Sequence, residues 1–196
     1  MTRHYGFTPK GEAEPRFANQ FIRVEETPVV RPDGEDGFFT TVTPGTGNGV
    51  VVIPRTFIRG LPYFALVSQH RPPIGGQSLE FPRGATKDLD SVSAAREVVE
   101  EVGCEVNGEP LRIGTIHPDT GLLTTTVATY LAACTTTEDA VFLDQDSYRE
   151  ESSGAIHHWV NGGTLQGLIS RGQITCGFTI AAWAQLVATG RNISAL

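Results

Sequence analysis

The sequence predicts an α/β fold, because short buried strands precede a strongly periodic helix. Two apolar runs, GVVVIP at 49–54 and YFALVS at 63–68, are rich in β-branched and aromatic residues and are bounded by glycine or proline, as buried strands often are. A helical period then begins near Asp90 and stops at Gly103. A chain of 196 residues is long enough for one domain with a small extension.

The first part of the chain predicts an N-terminal extension. Residues 1–16 are polar, contain two prolines and are expected to form a loose arm. A candidate β-hairpin follows, made of FIRVEETPVV at 21–30, RPDG at 31–34 and FFTTV at 38–42. We therefore expect an arm and hairpin over residues 1–45 and a main domain over residues 46–196.

Composition indicates a globular protein without a basic surface. The formal net charge of -7 argues against a dedicated nucleic-acid binder, which needs cations to neutralise phosphates. No stretch approaches the roughly 18 apolar residues of a membrane span, and the N-terminus lacks the apolar core of a signal peptide, so we expect a cytoplasmic protein with no membrane partner. Cys104, Cys134 and Cys176 lie far apart in the sequence and are predicted to be buried free thiols.

Three glutamates converge on one side of the predicted helix. Glu97, Glu100 and Glu101 fall within an arc of about 100°, with Arg96 as the adjacent cation. The opposite stripe is apolar and consists of Val92, Ala95, Val99 and Val102. Carboxylate oxygens are the ligands that Mg²⁺ prefers, so the cluster predicts a metal site, whereas the plainer interpretation is a solvated acidic face.

The segment REVVEEVGC at 96–104 is similar to the second half of the Nudix box, which reads R-E-U-x-E-E-x-G-U in that superfamily, U being aliphatic. The first half, G-x5-E, is matched less closely. Gly84 stands for its glycine, and either Asp88 or Asp90 stands for its glutamate. Asp88 keeps the helix phase and shortens only the loop, and we prefer it for that reason.

The resemblance implies a fold, a cofactor and roles for residues of the helix. The fold is a Nudix-type α/β/α sandwich with a mixed β-sheet, to which the N-terminal β-hairpin is an extension. The cofactor is Mg²⁺, for which Mn²⁺ can substitute. Glu97, Glu100 and Glu101 are the implied metal ligands, and Glu97, Glu101 and Arg96 are implied catalytic residues, with Arg96 orienting the carboxylates.

The segments QHRP at 69–72 and LEFPRG at 79–84 resemble the QYR-P and WELPAG elements of Nudix enzymes that cleave ADP-ribose and related nucleoside diphosphate sugars. This resemblance implies Glu80 as a further metal ligand. It also implies Arg71 and Arg83 as contacts of the substrate diphosphate. The plainer interpretation of Glu80 and Arg71 is a structural ion pair near the end of a strand.

Three later segments extend the resemblance to this branch. Pro118 lies near the downstream proline by which ADP-ribose hydrolases are recognised. One of the two glutamates that begin the acidic segment EESSGAI at 150–156 is the implied general base, and we assign Glu151; the plainer interpretation of the segment is a solvated turn. The segment GQITCGFTIAA at 172–182 resembles the closing G-x-I-x-D-G-x-T-x-A-A, with Cys176 in place of aspartate. A final helix is predicted over residues 180–188.

The predicted function is Mg²⁺-dependent hydrolysis of the diphosphate linkage in a nucleoside diphosphate joined to another moiety, with ADP-ribose or an ADP-sugar as the expected substrate. The products would be a nucleoside monophosphate and a sugar phosphate. The alternatives are a non-catalytic ADP-ribose or nucleotide sensor, and a Nudix hydrolase of another substrate such as a dinucleoside polyphosphate. The hairpin resembles the extension through which ADP-ribose hydrolases pair, so we expect a homodimer.

Overall fold

The computed structural model describes residues 6–136, 141–142 and 156–190. The chain divides into two units, one formed by residues 1–48 and 117–126 and the other by residues 49–116 and 127–196. Within the described residues, all helices belong to the second unit. None of those helices is both long and apolar enough to cross a membrane.

The first unit is a four-stranded antiparallel sheet built around the predicted hairpin. Its strands are β1 (Thr8–Pro9), β2 (Glu14–Ala18), β3 (Ile22–Val30) and β4 (Asp36–Pro44). β3 pairs with β4 along its whole length, which confirms the hairpin. The turn between them places Gly34 at a φ of 91°, a conformation that residues with a side chain rarely adopt.

The prediction of a loose arm over residues 1–16 is wrong for much of the part that the structure describes. Residues 8–9 and 14–16 belong to β1 and β2, and both strands pair with β3. The pairing satisfies backbone groups that a loose arm would leave to water, and the polar composition of the arm did not reveal it. Residues 1–5 lie outside the described residues.

Residues 117–126 join the first unit by backbone pairing with β4. The Val42 N–H donates to the Leu122 carbonyl at 2.9 Å, and the Thr124 N–H donates to the Val42 carbonyl at 3.0 Å. Pro118 therefore lies in a segment held by the N-terminal sheet. Local sequence pattern cannot reveal a partner so distant along the chain.

The second unit contains a nine-stranded mixed sheet with the central order β10-β11-β5-β6-β13-β12. These six strands are β5 (Asn48–Ile58), β6 (Leu61–Arg71), β10 (Leu111–Ile116), β11 (Thr126–Thr135), β12 (Val141–Phe142) and β13 (Ile156–Asn161). The shorter strands are β7 (Gly76–Glu80) beside β6, β8 (Arg83–Ala85) beside β5 and β9 (Glu105–Val106) beside β11. β12 and β13 are parallel, whereas β6 is antiparallel to β5, β7 and β13. The strands predicted at 49–54 and 63–68 lie within β5 and β6.

Alternate side chains of the central strands enter separate cores on the two faces of the sheet. The helices are α1 (Ser91–Val102), α2 (Gly162–Ser170) and α3 (Gly177–Ala188). Val51 and Ile53 pack in one core with α2 and α3, and Val50 and Val52 pack in the other with α1. Helices therefore cover both faces, which confirms the predicted α/β/α sandwich.

Helix α1 has the predicted bounds. The Asp90 side chain accepts a hydrogen bond from the Ser93 N–H at 2.8 Å and caps the first turn. Gly103, at a φ of 72°, ends the helix in the left-handed conformation that favours glycine. Of the two aspartates that could begin the helix, Asp90 holds the capping position, and Asp88 is exposed in the preceding loop.

The predicted orientation of α1 is wrong. Val92 and Val99, assigned to the apolar stripe, are 74% and 54% exposed. The buried residues of the helix are Ala94, Glu97, Val98 and Val102. The helix is turned by roughly a quarter turn relative to the prediction, because Ala94 and Val98 pack on the sheet and bring Glu97 inward with them.

The cysteines agree with the prediction in part. Cys104 and Cys134 are buried free thiols and belong to the same core cluster, although they lie far apart in the sequence. Cys176 is free but half-exposed, so its predicted burial is wrong. It precedes α3, which begins three residues before the predicted start at residue 180.

Candidate active site

Glu97 of α1 is a buried carboxylate, with a side chain only 7% exposed. It accepts a hydrogen bond from Nη2 of Arg96 at 2.6 Å. It also lies against the backbone of Gly84, where an added Cβ would overlap the carboxylate. Burial raises the pKa of Glu97, and the positive charge of Arg96 opposes that effect.

Glu101 follows one turn later and also faces inward. Its Oε1 accepts from Nε2 of Gln69 at 3.2 Å, and its Oε2 accepts from the Arg83 N–H at 3.3 Å. Burial raises the pKa of Glu101 as well, and these hydrogen bonds act in the opposite direction. Sequence reasoning missed Gln69, although its spacing of two from Arg71 on β6 places both on one face of the sheet.

Glu100 is the exposed member of the three. Its side chain is 55% exposed and accepts from Nη1 of Arg96 at 2.8 Å. Arg96 therefore bridges Glu97 and Glu100, as expected for a residue that orients carboxylates. The interpretation of the whole cluster as a solvated acidic face does not fit Glu97.

Glu80 joins two arginines in a second cluster. Nε and Nη2 of Arg71 donate to its Oε1 and Oε2 at 3.0 and 2.7 Å, and Nε of Arg83 donates to Oε2 at 3.0 Å. Burial by itself would raise the pKa of Glu80, but hydrogen bonds from Arg71 and Ser78 and the charges of both arginines outweigh it and lower the pKa to about 2. The Arg83 guanidinium also lies 4.8 Å from the ring centroid of Phe178.

The pH dependence of stability should report on Glu80. Its carboxyl group has an ordinary pKa of 4.5 and a folded-state pKa of about 2, so the unfolded chain binds more protons between those values. The stabilisation is present above the ordinary pKa and is lost as the pH falls through the folded-state value. Urea unfolding at pH 5 and pH 3 should show a larger loss for the native chain than for Glu80→Gln; equal losses would contradict the assignment.

Arg83 links two clusters, which are the carboxylate cluster of α1 (Glu97, Glu100 and Glu101) and the arginine cluster (Arg71, Glu80 and Arg83). Its backbone N–H binds Glu101, and its side chain binds Glu80. The structure thus brings together Arg71, Glu80, Arg83 and Glu101 of the predicted site residues. Among the described residues, no group of three or more His, Cys, Asp or Glu side chains is close enough to hold one metal ion. Glu151 lies outside the described residues.

The donor chemistry of α1 nevertheless fits a divalent cation. Glu97 and Glu101 supply hard oxygen ligands one helical turn apart on the inward side of the helix, and Glu100 adds an exposed carboxylate beside them. Burial disfavours the charged forms of Glu97 and Glu101, as their raised pKa values indicate. A cation beside them would stabilise those charged forms.

The first turn of α3 positions the segment that carries Glu80 and Arg83. The Phe81 N–H donates to Oγ1 of Thr179 at 3.0 Å, and both residues are fully buried. Cys176 is the N-cap of the helix and makes no side-chain capping bond. The aspartate of the closing motif would stand at this cap, where a carboxylate can bind free N–H groups.

Cys176→Asp should therefore stabilise the protein. A capping aspartate in place of a residue without a capping bond is worth about 0.5–2 kcal/mol, which raises the Tm of a chain of this size by roughly 1–8 °C. Thermal unfolding followed by circular dichroism measures the shift. Cys176→Ala is the control and should leave the Tm nearly unchanged. An equal Tm for the aspartate and alanine variants would contradict the capping role.

Comparison with known proteins supports the resemblance. No family model matches the chain. A Mus musculus protein named ADP-sugar pyrophosphatase is 38% identical over 93 residues, which is 43% of this chain and 42% of the mouse protein. The chain thus matches less than half the length of that relative.

A solved structure described as an ADP compounds hydrolase has a similar fold over nearly the whole chain. The TM-score is 0.72 at 15% sequence identity, with 96% of this chain and 97% of the other covered. This comparison confirms the predicted architecture. The chain therefore has the fold of that ADP compounds hydrolase, and part of its sequence is similar to the mouse ADP-sugar pyrophosphatase.

Proposed function

We propose that the protein is a Mg²⁺-dependent hydrolase that cleaves the diphosphate of ADP-ribose or an ADP-sugar. The observation that carries the proposal is the pair of contacts made by Arg83. Its side chain binds Glu80 in an arginine cluster suited to a diphosphate, and its N–H binds Glu101 on a helix whose carboxylates suit a divalent cation. The named relatives act on ADP-sugars and ADP compounds, which supports an ADP-containing substrate.

The two clusters would divide the work of catalysis. Arg71 and Arg83 would hold the negative diphosphate through guanidinium N–H groups, and Glu97, Glu100 and Glu101 would hold the cation. When bound, Mg²⁺ supplies charge stabilisation at the phosphoryl oxygens and helps to activate water. Mn²⁺ would act as a substitute.

The reaction adds one water across the diphosphate. The water oxygen forms a bond to one phosphorus, the bridging P–O bond breaks, and two phosphate monoesters leave. Glu151 is proposed as the general base that takes the proton of the water, with Glu97 as the alternative. Arg96 orients Glu97 and Glu100 through its two hydrogen bonds.

A coupled phosphate-release assay tests this function. The chain is incubated with Mg²⁺ and a phosphatase in the presence of ADP-ribose, ADP-sugars, NADH or dinucleoside polyphosphates. We expect release from ADP-ribose or an ADP-sugar, none with EDTA, and none without the chain. If release were fastest from a dinucleoside polyphosphate, the result would support the alternative of a dinucleoside polyphosphate hydrolase. No turnover of any substrate, together with ADP-ribose binding in calorimetry, would favour the non-catalytic sensor.

We also propose a homodimer that pairs through residues 1–45. Several aromatic side chains of the first unit are exposed, which supports an association surface there. They are Phe7, Phe17, Phe21 and Phe38, with exposed fractions of 49%, 54%, 69% and 61%. Light scattering after gel filtration should give about twice the chain mass of 21.1 kDa, and a monomer would contradict the proposal.

A further inference from the structure

Most of the acceptor sites of the Glu80 carboxylate are occupied by arginine N–H groups. Its side chain is 3% exposed, and each carboxylate oxygen accepts at least one guanidinium N–H. Arg71 binds both oxygens in the bidentate geometry that gives strong, oriented pairs. The two arginines thus occupy three of its roughly four lone-pair sites, and a metal ion at the remaining one would lie beside two positive charges.

The same cluster leaves the arginines with donors to spare. Two guanidinium groups and one carboxylate carry a net charge of +1, and a guanidinium has five N–H donors, of which Glu80 uses only a few. The side chains of Arg71 and Arg83 remain 30% and 31% exposed, so part of each can reach a ligand. The second support of Arg83 is the ring of Phe178, 4.8 Å from its guanidinium.

We propose that Glu80 is a positioning residue, which fixes Arg71 and Arg83 so that their remaining N–H groups bind the substrate diphosphate, and that it is not a metal ligand. The inference deepens the proposed function and rests on it. It gives Glu80 a different role from the metal ligand that the family resemblance implies. Of the metal ligands that the resemblance implies, Glu97, Glu100 and Glu101 then remain.

Loss of the carboxylate should damage the diphosphate site. Without Glu80, two guanidinium groups would repel each other and lose the hydrogen bonds that set their orientation. Residues that orient the ligands of a metal site typically change affinity by about 10–100-fold when removed, and we expect a similar loss for the diphosphate here. In the described part of the chain, the proposed metal ligands of α1 make no hydrogen bond to the Glu80 side chain. The affinity for the cation should therefore not change when Glu80 is replaced.

Two binding measurements that involve no turnover test whether Glu80 serves the diphosphate site or the metal site. Inorganic pyrophosphate is titrated in EDTA by calorimetry, and Mn²⁺ is titrated without nucleotide by the electron paramagnetic resonance signal of the free ion. For Glu80→Gln we expect pyrophosphate affinity to fall by about 10–100-fold while Mn²⁺ affinity stays within about twofold. For Glu101→Gln we expect the opposite pattern. Glu80→Asp, which keeps the charge, should recover part of the pyrophosphate affinity.

The proposal is overturned if Glu80→Gln loses Mn²⁺ affinity as Glu101→Gln does, or if it binds pyrophosphate as the native chain does. Glu80→Gln leaves partly buried arginine charge unpaired, so a second variant, Glu80→Gln with Arg71→Gln, guards against misfolding. Loss of Mn²⁺ binding in that folded double variant would equally identify Glu80 as a ligand, and retained binding supports the proposal.

Kinetics separate the failure of this proposal from the failure of the proposed function. If the chain turns over an ADP-sugar, KM for Glu80→Gln should rise by a larger factor than kcat falls. A change confined to kcat would contradict the positioning role. If no substrate turns over, the pyrophosphate and Mn²⁺ titrations still decide the role of Glu80.

Discussion

Replacing Glu101 by glutamine is expected to lower kcat by about 10²–10³-fold while the chain stays folded, a loss comparable to removal of one key group that stabilises a transition state. Glutamine keeps the side-chain size, and its amide oxygen can still accept from Gln69 or the Arg83 N–H. It lacks the negative charge that would hold the cation. The measurement is phosphate release at saturating substrate and Mg²⁺, with circular dichroism as the test of folding.

Glu105→Gln is the matched control for this variant. Glu105 is an exposed acid just beyond the same helix, in β9, and it belongs to neither cluster. Its substitution removes the same charge without touching the site, so turnover should stay near the native value. If Glu101→Gln turned over substrate as fast as Glu105→Gln, the assignment of α1 as the catalytic helix would be wrong.

Gly84→Ala is expected to reduce turnover by about 10²-fold at little cost in folding. The added methyl group would overlap the carboxylate of Glu97, which is the end of a flexible side chain and can move. A small displacement preserves the fold but misplaces a group that would hold the cation. The measurement compares kcat and the Mg²⁺ concentration for half-maximal rate with those of the native chain.

Gly114→Ala provides a control with the same kind of overlap. A Cβ at Gly114 would meet the side-chain amide of Gln185, which belongs to neither cluster. We expect this variant to lose a comparable amount of stability, through displacement of Gln185, and to keep its turnover. Loss of activity in both variants would show that stability, and not the position of Glu97, explains the effect of Gly84→Ala.

Local features of the site could be predicted from the sequence because each depends on neighbours along the chain. Asp90 and Gly103 bound the helix through capping chemistry that a short segment displays. The run of β-branched residues at 50–53 likewise indicates a strand. The spacing of Glu97 and Glu101 places them one turn apart whatever the helix packs against.

The direction in which α1 faces could not be predicted in this way. Val92 and Val99 are as apolar as Val98, and hydrophobicity alone ranks them equally as core residues. In the structure Ala94 and Val98 pack in the core, and Gly84, which has no side chain, leaves the space that the Glu97 carboxylate occupies. A carboxylate is more stable in water than in the protein interior, so hydrophobicity alone predicts that Glu97 faces the solvent.

The sequence by itself determined the α/β class, the bounds of the acidic helix and the identities of the charged side chains, because periodicity, capping and residue chemistry are local properties. Only the tertiary structure decided which charges meet. Pairing of β6 with β7 brings Arg71 near Glu80, and packing of α1 beside β6 and β8 brings Glu101 to Gln69 and the Arg83 N–H. Such contacts depend on strand register and helix rotation, which are set by the packing of the whole unit.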